Sequence, residues 1–120
     1  MIKVLDFTSL LSYCLFIYWL SDQPSLPVPA VFSNQDKILH AGAYFIMGIL
    51  AWRNFKCQPN YIGCAVFSLT FCSLYGLSDE WHQSFVEGRS SDIIDWLADT
   101  GGAGFAVFLL YRLRFTISAA

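Results

Sequence analysis

Long apolar runs dominate this chain and restrict it to a small set of folds. Four predominantly apolar stretches lie at residues 4–20, 38–52, 61–77 and 93–111. Apolar residues make up 56% of the 120 positions and charged residues only 13%, whereas roughly a quarter of residues are charged in soluble proteins. A helix needs about 20 mostly apolar residues to cross a bilayer. These runs predict an all-α integral membrane bundle of four transmembrane helices, formed by residues 1–120 as a single domain.

The composition also disfavours several other classes of protein. A net charge of −2 offers no basic surface for nucleic acid. The cysteines lie in or beside apolar runs without ligand-like spacing, so packing is a simpler role for them than disulfides or zinc binding. They are Cys14, Cys57, Cys64 and Cys72. A secretory signal is an alternative for the first run, but Asp6 and the prolines at 24–29 favour a membrane helix followed by an extended connector.

Basic residues are distributed unevenly over the predicted loops. With four spans, both termini and the loop between the second and third runs share one side of the membrane. Five of the seven Lys and Arg residues lie on that side: Lys3, Arg53, Lys56, Arg112 and Arg114. The other side has only Lys37 and Arg89, together with most of the carboxylates. The positive-inside rule therefore predicts cytoplasmic termini and an acidic segment that faces outward.

Small residues recur at intervals of four in two of the predicted helices. The third helix has such residues at positions 64, 68, 72 and 76, and the fourth has them at 98, 102 and 106. Stripes of small side chains allow membrane helices to approach closely. We therefore expect the third and fourth helices to pack against each other.

The few polar residues concentrate at one end of three predicted helices. Six of the nine carboxylates fall between residues 79 and 99. Side chains three or four positions apart share a helix face, so three polar stripes are expected if the third helix continues past residue 77. The stripes are Lys37, His40 and Tyr44; Tyr75, Asp79 and His82; and Asp92, Asp95 and Asp99. Because unpaired charge is costly in a bilayer, we predict that the stripes converge on one outward-facing pocket.

Several chemistries are open to such a pocket. His40 and His82 are candidate acid–base residues, with Asp79, Glu80 and Asp95 in support or holding a metal. Arg89 is either an anion ligand for a phosphate or carboxylate or the salt-bridge partner of Glu87 or Asp92. No cofactor is predicted, although a divalent cation on the aspartates of the fourth helix is a further option beside their pairing with basic residues.

The ordered succession of these motifs resembles that of the VanZ-like family of small membrane proteins. The resemblance covers residues 36–104. It rests on Asp36-Lys37-Ile38-Leu39-His40 with Tyr44, Tyr75-Gly76, Asp79-Glu80-Trp81-His82-Gln83, Gly88-Arg89-Ser90 with Asp92, and Asp95-Trp96-Leu97-Ala98-Asp99-Thr100-Gly101-Gly102 with Gly104. It implies a multi-pass protein of the bacterial plasma membrane, linked in some members to lowered susceptibility to teicoplanin and other lipoglycopeptides. The resemblance implies no particular reaction.

Two functions compete for the predicted pocket. The first is binding of an anionic membrane lipid or a lipid-linked envelope precursor by its headgroup. The expected ligand-binding residues are Lys37, Tyr44, Gln83, Arg89, Asp92, Asp95 and Asp99. The second is a membrane-embedded hydrolase or phosphoryl transferase that acts on a lipid headgroup. Its expected catalytic residues are His40, Asp79, Glu80 and His82. Ion transport is less favoured because the charges stay at one end of the helices.

Overall fold

The chain folds into four consecutive helices in the computed structural model, which describes residues 2–25, 29–56 and 60–119, except for the side chains of residues 2 and 115–119. The helices are α1 (Ile2–Asp22), α2 (Gln35–Phe55), α3 (Tyr61–Gln83) and α4 (Ile93–Ala119). No strand occurs among these residues, which confirms the all-α prediction. Each helix extends beyond the apolar run that predicted it. Cys57 and the middle of the predicted connector lie outside the described residues.

Three of the helices are long and apolar enough to cross a membrane, namely over Lys3–Asp22, Tyr61–Gln83 and Ile93–Arg114. α2 is of similar length, but it has polar residues at both ends and is not among the three. A helix of 21 residues is about 30 Å long, which is close to the thickness of the hydrocarbon core. The membrane-helix character of the chain is therefore supported, and a fourth span by α2 stays a prediction.

The outer surfaces of the helices are largely apolar, and several charged side chains lie inside the bundle. Large apolar side chains such as Phe7, Leu15 and Leu74 are exposed along the outer surfaces of the helices. Charged side chains, among them Glu80 and Asp99, are buried between the helices. Hydrocarbon suits the first group, while the second avoids lipid by facing the interior of the bundle. This distribution agrees with a membrane environment.

α4 lies closest to α2, and glycine makes that approach feasible. A Cβ atom at Gly102 of α4 would overlap the backbone carbonyl of Ala41 in α2. A Cβ atom at Gly48 of α2 would lie 2.9 Å from the carbonyl oxygen of Ala103 in α4. The small residues of α4 therefore serve its contact with α2, whereas the spacing argument assigned them to α3. The spacing of the stripe could identify a close contact but not the partner helix.

The predicted contact between α3 and α4 is also present. The indole Nε1 of Trp96 donates a hydrogen bond of 2.9 Å to the carbonyl oxygen of Ser73. A Cβ atom at Gly76 would lie 3.2 Å from the Cβ of Asp99. The predicted small stripe of α3 is buried over its whole length. α4 is thus held between α2 and α3, with its aspartates near both.

A buried carboxylate joins α1 to the end of α2. Asp6 is 3% exposed, and its Oδ1 lies 2.7 Å from both Nε and Nη2 of Arg53. Lys56 Nζ lies 3.8 Å from Oδ2, and the Asn54 side chain donates to the backbone carbonyl of Asp6 at 2.9 Å. This arrangement explains an acid within the first apolar run. It also fixes the end of the bundle opposite the polar stripes.

Replacing Arg53 by alanine is expected to destabilise the bundle by about 1–3 kcal/mol, because the buried Asp6 carboxylate loses its two shortest contacts. Lys3→Ala, which removes an exposed cation from the same end, is the matched control and should be nearly neutral. Unfolding by SDS titration in detergent, followed by circular dichroism, measures both variants. Equal stability of the two would contradict a structural role for the Asp6 cluster.

Candidate functional site

Lys37 connects the first turn of α2 to the first turn of α4. Its Nζ lies 2.7 Å from Asp95 Oδ1, 2.8 Å from Asp36 Oδ2 and 3.2 Å from Asp92 Oδ2. The Asp95 side chain is 8% exposed, whereas that of Asp36 is 52% exposed. The contact with Asp95 is therefore the one least screened by solvent.

His40 lies one turn further along α2 and contacts the same face of α4. Its Nδ1 lies 2.7 Å from Oδ1 of the fully buried Asp99, and its Nε2 lies 3.9 Å from Asp95 Oδ2. An ionised carboxylate can only accept a hydrogen bond, so Nδ1 is the donor in this pair when Asp99 is ionised. Asp99 thereby fixes the orientation of the imidazole ring.

Tyr44 extends the polar face of α2 into the core and reaches α3. Its hydroxyl donates a hydrogen bond of 3.3 Å to Asp79 Oδ2, and both residues are buried. The three polar residues that share a face of α2 thus contact carboxylates from two other helices. The structure brings the predicted stripe of α2 together with Asp79, Asp95 and Asp99.

Glu80 and Asp92 connect the end of α3 to the start of α4. The Asp92 backbone amide donates to Glu80 Oε2 at 3.0 Å. Asp92 also caps α4, because its Oδ1 accepts a hydrogen bond of 2.9 Å from the Ile94 amide. These two contacts hold the acidic end of the bundle, which we define as the end where α2 and α4 begin and α3 ends.

Two exposed carboxylates at this end, Asp36 and Asp92, have lowered pKa values. The hydrogen bond from the Ile94 amide, followed by the interaction with Lys37, lowers the pKa of Asp92. The hydrogen bond from Lys37 likewise lowers the pKa of Asp36. A lowered folded-state pKa means that the stabilising contribution is present above the unfolded pKa, near 3.9, and is lost as the pH falls through the folded pKa.

Asp92→Asn is therefore expected to destabilise the protein at pH 7. The difference in stability between the wild type and the variant should shrink as the pH falls below about 4. Asparagine retains an oxygen that can cap α4, so the variant removes the charge while it keeps the cap. Melting temperatures of the wild type and the variant in detergent between pH 3 and pH 7 measure the difference. A difference that stays constant over this range would contradict the assigned ion pair.

Two groups of side chains at the acidic end could hold a metal ion. One comprises His40, Glu80 and Asp95, and the other comprises Asp79, Glu80 and Asp99. Within each group the candidate ligand atoms lie within 4.8 Å of one another. Glu80 belongs to both, so the two groups form one continuous cluster.

Two adjoining cavities lie beside this cluster, each of about 330 Å³. We call the first the apolar groove. It has walls from α1 and α2 and a polar base that includes Tyr44 and Asp79; the walls are Phe16, Ile17, Leu20, Leu39 and Ala43. We call the second the polar pocket. It is lined by Pro24, Ser25, Asp36, Gly88, Ser90 and Asp95. His40, Gln83 and Arg89 line both cavities, so the groove and the pocket adjoin at these three side chains.

Arg89 lies at the junction of the two cavities. Its Nη1 donates to the carbonyl oxygens of Leu20 at 3.4 Å and Gln23 at 3.3 Å. In the part of the chain that the structure describes, no carboxylate lies within 4.0 Å of its guanidinium, so the expected alternative of an ion pair with a neighbouring acid is not observed. The preceding Gly88 has a φ of 84°, which favours glycine, and packs against Pro24.

His82 lies apart from the cluster. Its Nε2 is 3.2 Å from Asp22 Oδ1, and its ring lies 4.7 Å from that of Tyr18. The structure therefore does not bring it to Asp79 or Glu80 as an acid–base partner. At the same helical end, Gln83 points inward and is only 3% exposed. Sequence spacing alone did not distinguish the inner face of this last turn from its outer face.

α1 contributes site residues that sequence reasoning missed. Phe16, Ile17, Leu20 and Ser21 line the apolar groove, and the Ser21 hydroxyl is buried there. Apolar positions in a membrane helix look alike whether they face lipid or a cavity, so no sequence signal marked these residues. These α1 residues belong to the site because α1 lies beside Arg89.

Comparison with known proteins places the chain in a family. The model of the VanZ/LLP1 family matches residues 5–115, and the chain therefore belongs to that family. An uncharacterized protein of Schizosaccharomyces pombe is 30% identical over 104 residues, which cover 80% of this chain and 57% of the relative. The chain thus spans little more than half the length of this relative. No solved structure matches.

Proposed function

We propose that this VanZ/LLP1 protein binds an anionic membrane lipid or a lipid-linked envelope precursor, with the headgroup in the polar pocket and an acyl chain in the apolar groove. The adjacency of the two cavities carries the proposal, because His40, Gln83 and Arg89 line both. An amphiphile needs an apolar channel that ends at polar ligands, and this junction supplies both.

The apolar groove suits a hydrocarbon chain. Its walls are aromatic and aliphatic side chains from α1 and α2, among them Phe16, Leu20 and Leu39. Phe16 and Leu39 are also exposed on the surface that would face lipid. A lipid chain could therefore enter from the bilayer without crossing a polar barrier. The volume of the apolar groove, about 330 Å³, is within the range of ligand pockets.

Arg89 is the residue best suited to hold the anion. Both of its observed hydrogen bonds use Nη1 and go to neutral carbonyl oxygens. A guanidinium without a carboxylate partner binds phosphate or carboxylate strongly, often through two parallel hydrogen bonds. His40 lines both cavities and adds a hydrogen-bond donor, and Asp99 holds its ring in position. Lys37 is paired with Asp95 and lines neither cavity, so its contribution to anion binding is long-range charge. Gln83 and Tyr44 complete the polar lining near the junction.

Native mass spectrometry of the protein extracted gently from its own membrane tests the proposal. We expect an anionic lipid to co-purify with the wild type and to be reduced about tenfold or more in Arg89→Ala and His40→Ala, since each loses a charge-assisted or buried polar contact. Arg114→Ala, at the opposite end of the bundle, is the matched control and should retain the lipid. Equal lipid content in all four proteins would contradict the proposed site.

The position in the cell is part of the same proposal. We place the chain in a bacterial plasma membrane, with four spans, both termini in the cytoplasm and the acidic end outside, where it would meet envelope precursors and lipoglycopeptides. The distribution of basic residues supports this orientation. We expect expression in a susceptible host to lower its susceptibility to teicoplanin, and the Arg89→Ala variant to lose that effect.

A second candidate function is catalysis on a lipid headgroup by hydrolysis or phosphoryl transfer. It is supported by the His40–Asp99 pair at 2.7 Å, which orients an imidazole beside the Asp79 and Glu80 carboxylates. A general base needs such an orienting partner. Incubating the co-purified lipid with fresh protein, with and without divalent cations, tests this function. An unchanged lipid in every condition would leave binding as the function.

A further inference from the structure

The cluster of Asp79, Glu80 and Asp99 has features that its protein neighbours do not explain. All three residues are buried, with exposures of 7%, 4% and 0%. One oxygen from each lies within 4.8 Å of the others. Three carboxylates at such distances repel one another strongly unless protons or a cation neutralise them.

The observed partners satisfy only part of this cluster. Asp99 Oδ1 is bound by His40, Glu80 Oε2 by the Asp92 amide, and Asp79 Oδ2 by the Tyr44 hydroxyl. Among the described residues, Asp99 Oδ2 and Glu80 Oε1 are buried and have no hydrogen-bond partner. A buried acceptor without a partner is rare and costs about 1–3 kcal/mol, or more when it is charged. Two such oxygens in one cluster indicate a further cation or hydrogen-bond donor as their partner.

Lys37 does not fill this role. Its Nζ is already surrounded by Asp36, Asp92 and Asp95. Asp95 Oδ1 is thereby neutralised, whereas the unpartnered oxygens of Glu80 and Asp99 are not. His40 is bound to the other oxygen of Asp99, and among the described residues no other basic side chain lies within 4.0 Å of either unpartnered oxygen.

We propose that Asp79, Glu80 and Asp99 bind one hard divalent cation of the Mg²⁺, Mn²⁺ or Ca²⁺ class. Carboxylate oxygens are the preferred ligands of these ions. Two oxygens on opposite sides of Ca²⁺ are separated by about 4.6–5.2 Å, and those around Mg²⁺ by about 4.2 Å or less, so the observed spacing needs little adjustment. His40 holds the second oxygen of Asp99 and so orients a ligand instead of displacing the ion.

The residues that make up this site come from two helices held by specific packing. Glu80 follows Asp79 directly on α3, and Asp99 approaches them from α4 across Gly76. A Cβ at Gly76 would lie 3.1 Å from Asp99 Oδ2, so the glycine leaves room beside an unpartnered oxygen. The cation would therefore also fasten α3 to α4. This inference is independent of the lipid proposal, because it predicts cation binding in detergent without added lipid.

Binding of Mn²⁺ to the purified, chelator-treated protein tests this site. Electron paramagnetic resonance of free Mn²⁺ should reveal one saturable site per chain at neutral pH, and Mg²⁺ or Ca²⁺ should displace the bound ion. Glu80→Gln is expected to weaken binding by at least about tenfold. Glu87→Gln, the same substitution at an exposed position of the following loop, is the matched control and should bind as the wild type does.

The outcomes separate clearly. Saturable binding by the wild type and Glu87→Gln, with weakened binding by Glu80→Gln, supports the site. If Glu80→Gln does not fold, Asp79→Asn takes its place, and the wild-type titration stands by itself. A wild type that binds no Mn²⁺, or a Glu80→Gln variant that binds with unchanged affinity, would overturn the proposal and leave protons as the neutralising charge.

Discussion

Gly102→Ala is expected to destabilise the bundle by about 3 kcal/mol or more. The added Cβ would overlap the backbone carbonyl of Ala41, and a backbone atom cannot move aside as the end of a side chain can. α2 and α4 would have to separate, which would also pull Lys37 and His40 away from their aspartates. We therefore expect lower unfolding stability in detergent, together with loss of the co-purifying lipid.

Gly101→Ala provides a sharp control for that prediction. A Cβ at Gly101 would have no neighbour within 4 Å, and the residue is exposed. Because alanine favours a helix over glycine by about 1 kcal/mol, this variant should be neutral or slightly more stable. Equal destabilisation by both substitutions would contradict the close contact between α2 and α4.

Lys37→Ala is expected to lower the free energy of unfolding by about 2–3 kcal/mol. This value is smaller than that for a fully buried ion pair, because the Lys37 side chain is 25% exposed. The buried Asp95 carboxylate would lose the cation at 2.7 Å. Asp95 would then have to remain charged without its partner or take up a proton. Chemical unfolding of the wild type and the variant under identical conditions measures this cost.

Asp36→Ala removes another contact of the same lysine and serves as the control. The Asp36 side chain is 52% exposed, and solvent-exposed ion pairs contribute about 0–1 kcal/mol. We expect its effect to be much smaller than that of Lys37→Ala. If both variants lost the same stability, the Lys37–Asp95 pair would not be the principal contact between the first turns of α2 and α4.

Much of the fold could be predicted because apolar length and polar spacing are local properties. The apolar runs located all four helices, and the spacing of Lys37, His40 and Tyr44 correctly grouped them on one face. The spacing of Asp92, Asp95 and Asp99 did the same for the start of α4. Polar side chains in an apolar chain have few ways to avoid lipid, so the meeting of the α2 and α4 stripes with Asp79 could be reasoned from cost alone.

The rest depends on which helices are neighbours, and local patterns do not contain that information. The stripe of small residues on α4 packs closest to α2 at Gly102, although the sequence showed a matching stripe of small residues on α3. His82 was grouped with Asp79 by spacing, but it points to Asp22 on α1. The Asp6–Arg53 contact joins residues 47 positions apart. The apolar groove likewise depends on where α1 lies, and α1 has no motif that predicts it.

Photolabelling of the protein in vesicles tests the lipid site most directly. The probe is phosphatidylglycerol with a photoreactive group in one acyl chain, and the labelled positions are read by mass spectrometry after proteolysis. A second apolar groove of about 300 Å³, lined by Val66, Phe108 and neighbouring residues of α3 and α4, supplies an internal reference, because no charged residue lines it.

We predict that labels concentrate on the walls of the apolar groove, at Phe16, Leu20 and Leu39, and that Arg89→Ala lowers labelling there while the reference groove is unaffected. Equal labelling of the two grooves, or labelling that is insensitive to Arg89→Ala, would contradict the claim that the polar pocket and the apolar groove form one lipid site.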